Sequence, residues 1–168
     1  DVCSSDLLTG ARQRGADVRV VLGDARQTVE TIPDASLDVL VLDAFSSDAV
    51  PVHLLTREAM NLYSRKVGAD GLVLFHISNR YLELKTVLSS LTKDAGWFGA
   101  YRFDGDSREH NLSPPGWSPS EWVVVARSPD LLVQATRGVK WDSLSDSGSR
   151  IWTDDYSNLL GIVRWTAP

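Results

Sequence analysis

The sequence predicts an α/β fold built on a doubly wound, mostly parallel sheet, and three observations point to it. Short aliphatic runs alternate along the chain with stretches whose apolar residues recur at helical spacing. One run, LDVLVL at Leu37–Leu42, is nearly continuous, as in a parallel strand covered on both faces. Two runs close on an aspartate, VVLGD on Asp24 and LDVLVLD on Asp43. Open α/β sheets bind ligands beyond the carboxyl ends of their strands, so carboxylates at two such ends suggest a polar, cation-accepting pocket.

The elements follow in order. Val18, Val20, Val21 and Leu22 predict a short buried strand that stops at Gly23-Asp24. A helix over 25–32 comes next, with Asp24 placed to cap it and Pro33 to end it. After the strand at Leu37–Leu42, Thr56 is the N-cap of a helix that has Glu58 in its first turn. That helix carries Ala59, Leu62 and Tyr63 on one face and ends at Gly68. Residues 71–77 (GLVLFHI) form the third strand. Leu84, Val87, Leu88, Leu91 and Ala95 fall at helical spacing before Gly96, with Ser78 or Asn79 as the cap of that helix. A strand is expected over 97–103, then a long Pro-, Gly- and Ser-rich loop over 103–120. The strand at 121–126 (EWVVVA) is followed by a short DLLVQA helix, a Ser/Asp-rich connector at 142–149 and a terminal helix near 153–163. The pattern contains no internal repeat and no second domain.

Composition narrows the function classes. At 168 residues the chain has the size of one domain, and its 43% hydrophobic and 23% charged residues are ordinary for a globular protein. No apolar run approaches the roughly 20 residues of a membrane-spanning helix. A net charge of −5, with no basic stripe, argues against nucleic acid as a partner. The opening string DVCSSDL matches the translation of a common sequencing adapter. Residues 1–7 are therefore expected to be non-native and residues 8–168 to carry the domain, with native sequence expected ahead of residue 8. Cys3, the one cysteine, falls in that string, which leaves no disulfide, thiol nucleophile or thiolate metal site to expect. His53 and His76 lack HxH or HExxH spacing, so no metal is expected either.

Asp24 has two readings that stay open together: a helix cap, or an acceptor for a nucleobase amino group or ribose hydroxyl. Asp43 and Asp48 flank a short loop and could bind an amine, one of them receiving its proton; the alternative is loop aspartates bonded to nearby backbone N–H groups. Ser46, Ser47 and Ser78 lack a GxSxG elbow or an acid–base partner at telling spacing, which speaks against a serine hydrolase.

Taken together, LGDAR, DVLVLDAFSSDAVPVHLLTREAMNLY, DGLVLFHISNRYL, SEWVVVAR and WTDDYSNLLGIVRW resemble the spermidine synthase family across most of residues 18–165. The nearest resemblance is to bacterial spermidine synthase-like domains fused behind a transporter-like membrane segment. It implies the Rossmann-like fold of S-adenosylmethionine methyltransferases, and aminopropyl transfer from decarboxylated S-adenosylmethionine to putrescine or a related amine. The products are spermidine and methylthioadenosine, and decarboxylated S-adenosylmethionine is a co-substrate rather than a bound cofactor. By the same resemblance Asp43 matches the catalytic aspartate, Asp24 the aspartate that contacts the adenine amino group, and Ala25 sits beside it. Asp48 stands where a second acid is sought, five residues after Asp43 rather than three. No tyrosine motif matches the family's catalytic tyrosine, and Tyr81 and Tyr101 are candidates by type only.

In the family's strand order, 3-2-1-4-5-7-6, the Gly-rich turn and the ribose-holding acid would lie ahead of residue 8. The expectation is thus a fold lacking its first two strands, half a donor site, and a marginally stable, inactive chain. A cytoplasmic domain is implied, with a membrane anchor in the whole protein; a homodimer is compatible with the reading. Two other functions share these features: an S-adenosylmethionine-dependent methyltransferase, and a non-catalytic nucleoside or polyamine sensor attached to a transporter.

Overall fold

The computed structural model describes residues 2–44, 50–105, 119–145 and 148–165, with only the backbone of residues 2–5. Ten elements run along it: α1 (Val2–Gln13), α2 (Ala25–Glu30), β1 (Leu37–Leu42), α3 (Arg57–Lys66), β2 (Val67–His76), α4 (Leu84–Asp94), β3 (Phe98–Asp104), β4 (Ser120–Ala126), α5 (Pro129–Ala135) and β5 (Asp142–Ser143). The strands form one sheet in the order β1-β2-β4-β3-β5. Only β1 and β2 run parallel; β4 enters antiparallel between β2 and β3, and β5 pairs antiparallel with β3. The α/β architecture holds, and the sheet is more antiparallel than the aliphatic runs suggested. The order β1-β2-β4-β3 follows the 4-5-7-6 portion of the series quoted above, and β5 is a further edge strand.

The caps explain where the helices start. Asp24 accepts from the Gln27 amide and opens α2. Thr56 accepts from the Ala59 amide at 3.1 Å and opens α3. Ser128 does the same for α5, with Pro129 in its first turn. α4 stops at Gly96, which takes a φ of +69° that a side chain would disfavour. α4 lacks the predicted cap: Asn79 Oδ1 instead accepts from the amides of Tyr81 and Leu82, closing a local turn before the helix.

The core lies on one face of the sheet. Leu40 and Leu42 of β1, Val73 and Phe75 of β2, and Val123 and Val125 of β4 are buried there with the apolar stripes of α3 and α4. Trp152 closes the edge of this core, and its carbonyl accepts from the Arg57 amide at 2.9 Å. On the opposite face Ala100, Val124 and Ala126 are buried near α5, which packs on β3 and β4, while Val39 and Val41 of β1 are 51% exposed. β1 is therefore covered on one face only, against the two-sided burial expected of it.

Two predicted elements do not form. Residues 16–22 make no strand, and Val20, Val21 and Leu22 are exposed. A strand needs a ladder partner for its amides and carbonyls, and no described residue pairs with this segment. The terminal helix near 153–163 is replaced by a turn bridged between Thr153 and Tyr156 and a 3-10 turn at Leu160–Ile162. Asn158 Oδ1 takes the Gly161 amide at 3.0 Å, a cap-type bond that starts the short 3-10 turn rather than a helix running in from residue 153. Beyond it the chain runs extended beside residues 81–83, with Glu83 N donating to Ile162 O and Arg164 N to Tyr81 O. Leu7 of α1 is 73% exposed, and none of the described side chains of α1 is in the core cluster. No helix among the described residues is long and apolar enough to cross a membrane.

Candidate active site at the strand ends

β1 and β2 are parallel and in unbroken register from Val39 onward, so their carboxyl ends lie side by side: Leu42 pairs with Phe75. The next residue of each strand end is polar. Asp43 follows β1, and His76 is the last residue of β2. Side chains alternate along a strand, which puts both on the open face with Val39 and Val41, opposite the core. His76 Nδ1 and Asp43 Oδ1 are 2.5 Å apart. The far side of the ring, Nε2, lies 2.7 Å from Ser78 Oγ, and Ser78 Oγ accepts from the Glu121 amide at 2.8 Å. Trp122, paired with His76 across β2 and β4, stacks on the imidazole at 4.6 Å with 20° between the rings. The Asp43 side chain is 65% exposed and that of His76 only 24%. The carboxylate thus stands at the solvent end of a supported row.

Asp24 belongs to a separate group. Its Oδ1 caps α2 and its Oδ2 lies 3.1 Å from His53 Nε2. The cap bond from the Gln27 amide, then the neighbouring His53, hold the Asp24 carboxyl below its ordinary value. Ala25, beside it, is the first residue of α2. Arg26 is the hub of the surrounding network: it donates to both oxygens of Asp154 at 2.7 and 2.8 Å and to the His53 carbonyl at 3.0 Å. Thr56 Oγ1 donates to Asp154 Oδ1 at 2.7 Å, and the Asp154 amide donates to Glu58. The hydrogen bonds from Arg26, then from Thr56, hold the Asp154 carboxyl low, and the Arg26 guanidinium is held correspondingly high. A cavity of about 700 Å³ opens over this group, lined by Arg26, His53, Thr56, Asp154 and Tyr156 among others.

The remaining predicted residues fall elsewhere. Asp48, Ser46 and Ser47 lie outside the described residues. Tyr81 is exposed. Tyr101 lines a cavity of about 620 Å³ with Glu83, Glu121 and Arg164, and burial pushes its hydroxyl up to about 12, so it stays protonated at neutral pH. Among the described residues no group of three or more His, Cys, Asp or Glu is placed to hold a metal.

Sequence reasoning missed the Asp43–His76–Ser78 row and the place of Asp154. The spacing of His76 and Ser78 on one strand end, two residues apart and hence on one face, was the available signal. Nothing local marked Asp154, whose partners are 98 and 128 residues away.

The chain matches no family model and no curated protein. Solved structures do resemble it. A probable spermidine synthase from Corynebacterium glutamicum superposes with a TM-score of 0.53 at 17% identity, covering 92% of this chain and 62% of that one. The chain thus spans less than two thirds of that protein's length. A spermidine synthase from Thermotoga maritima gives 0.48 at 12% identity, over 89% of this chain and 48% of that one. A SAM-dependent methyltransferase from Archaeoglobus fulgidus gives 0.48 at 13%, over 74% and 81%. At 17% identity the likeness to the first of these is one of fold alone: the chain has a Rossmann-like α/β fold.

Proposed function

We propose that this chain belongs to an enzyme that moves an aminopropyl group from decarboxylated S-adenosylmethionine to putrescine or a related amine, with Asp43 on the acceptor side of the site. The observation that supports this most is the exposed Asp43 carboxylate at the carboxyl end of β1, held by His76 from the neighbouring strand end. An alkyl amine, like the lysine side chain with its pKa of about 10.4, is almost wholly protonated at neutral pH and cannot attack in that form. Asp43 binds the ammonium and takes one proton, leaving the nitrogen lone pair free. That pair forms the new C–N bond while the C–S bond of the sulfonium breaks, and the bonding electrons go to sulfur. The products are a secondary ammonium, a neutral thioether and protonated Asp43. The sulfonium is already activated, so the protein's main task is to hold nitrogen and carbon in line.

Asp24 and Ala25 are proposed on the nucleoside side, with Asp24 sharing its carboxylate between the α2 cap and an adenine amino group. Asp48 is proposed as a second acid for the distal end of the amine. The fusion to a transporter-like membrane segment, with the domain in the cytoplasm, belongs to the same proposal.

The test is turnover by full-length protein, followed as methylthioadenosine release with decarboxylated S-adenosylmethionine plus putrescine, against S-adenosylhomocysteine release with S-adenosylmethionine alone. Release of methylthioadenosine only with the decarboxylated donor supports aminopropyl transfer; turnover with S-adenosylmethionine alone points to methyl transfer; binding without turnover points to a sensor. Asp43→Asn should lower kcat by about 100-fold or more. Undiminished turnover by that variant sinks the assignment.

A further inference from the structure

We propose that His76 and Ser78 are positioning residues for Asp43, with the neutral imidazole locked as its Nδ1–H tautomer by a one-way row of hydrogen bonds. This rests on the reading of Asp43 as the group that receives the amine's proton.

The tautomer follows from which groups can donate. An ionised carboxylate only accepts, so the hydrogen between Asp43 Oδ1 and His76 Nδ1 sits on nitrogen. In a neutral ring Nε2 is then an acceptor, and Ser78 must donate its hydroxyl hydrogen across the 2.7 Å gap. Ser78 Oγ keeps a lone pair for the Glu121 amide, and that bond at 2.8 Å fixes the hydroxyl from behind. Each donor therefore points toward the carboxylate: Glu121 N–H to Ser78, Ser78 O–H to His76, His76 N–H to Asp43. The row draws on the ends of β1, β2 and β4, and the stacked Trp122 restrains the ring's tilt.

The same three residue types in line are also the grouping that activates a serine nucleophile, and exposure separates the two roles. A nucleophilic serine must be the open end of its row, with the carboxylate buried behind. Here the carboxylate is the open end at 65% exposed, the imidazole lies inside it at 24%, and Ser78 Oγ is engaged on both sides. The row is built to present Asp43. Holding Oδ1 leaves Oδ2 as the oxygen that meets the amine.

Two measurements on full-length protein decide this. The first is the ¹⁵N spectrum of the imidazoles, with His76 assigned through His76→Asn. The neutral His76 should show the Nδ1–H tautomer, and Asp43→Ala or Ser78→Ala should shift it toward a mixture. An Nε2–H tautomer in the unmodified protein, or a spectrum indifferent to both changes, overturns the proposal. The second is kinetic, on variants whose melting curves show them folded. Ser78→Ala should lower kcat by about 10- to 100-fold with the amine KM changed less than about twofold. His76→Asn, which keeps an amide N–H near the place of Nδ1–H, should retain more activity than His76→Ala. Equal loss in the two His76 variants counts against positioning. If the unmodified protein transfers no alkyl group, the proposed function falls, and the tautomer measurement alone decides the pairing.

Discussion

The two faces of the sheet are unlike, and the contrast separates what holds the molecule together from what it presents. On the closed face, Leu40, Leu42, Val73, Phe75, Val123 and Val125 are buried under α3 and α4, with Trp152 sealing the edge. On the other, Val39 and Val41 are half exposed, and the row from Asp43 to Ser78 begins where those valines end. Most of the core lies in one set of alternate residues and the candidate site in the other, whose buried members Ala100, Val124 and Ala126 sit away from β1. A change on one face should leave the other nearly untouched.

The largest effect should come from Phe75→Ala. Phe75 is 1% exposed and its ring packs against Tyr63 with centroids 6.2 Å apart. Its truncation should cost about 3–5 kcal/mol in urea unfolding, and a loss below about 1 kcal/mol would contradict the closed-face account. Next is Asp154→Ala, which removes the carboxylate shared by Arg26 and Thr56; partial exposure weakens the pair, so about 1–2 kcal/mol is expected. This contribution depends on pH with a definite sign. The folded Asp154 carboxyl is held below the ordinary 3.8, so its contribution is present above that value and lost as pH falls through the lower folded one. Unfolding curves of the variant and the unmodified protein should converge on acidification through that window. Convergence on raising the pH would reverse the sign and break the argument. The smallest effect is that of Val41→Ala on the open face, about 0.5–1 kcal/mol. Parity between Val41→Ala and Phe75→Ala in the same assay would erase the distinction between the faces.

Much of the fold was legible because it rests on local chemistry. The bounds of β1 follow from the LDVLVL run, α3 from Thr56 as cap, and α4 from apolar spacing that stops at Gly96. The residues that were misread depend on distant partners. Val20–Leu22 carry the composition of a strand, but composition cannot supply a neighbour to pair with. The segment after Trp152 has helical spacing, yet Asn158 and the pairing of Leu82 with Val163 hold it extended or turned. Of the candidate site, Asp43 could be placed at a strand end from its run alone. Its support could not be read in advance, because His76 is 33 residues away and the Glu121 amide behind Ser78 a further 43. Asp24 shows the reverse: its cap was legible because Gln27 is three residues off, whereas its pairing with His53 was not.

Thr56 joins two structures that are far apart along the chain. One hydroxyl accepts the Ala59 amide that starts α3 and donates to Asp154, and the next residue's amide binds the Trp152 carbonyl. Release of the 152–154 segment and fraying of the first turn of α3 are therefore a single opening event. In amide hydrogen exchange the Arg57, Ala59 and Asp154 protons should become accessible together, as one cooperative unit. The same unit is expected to close late in folding, because it must first bring together residues 98 apart.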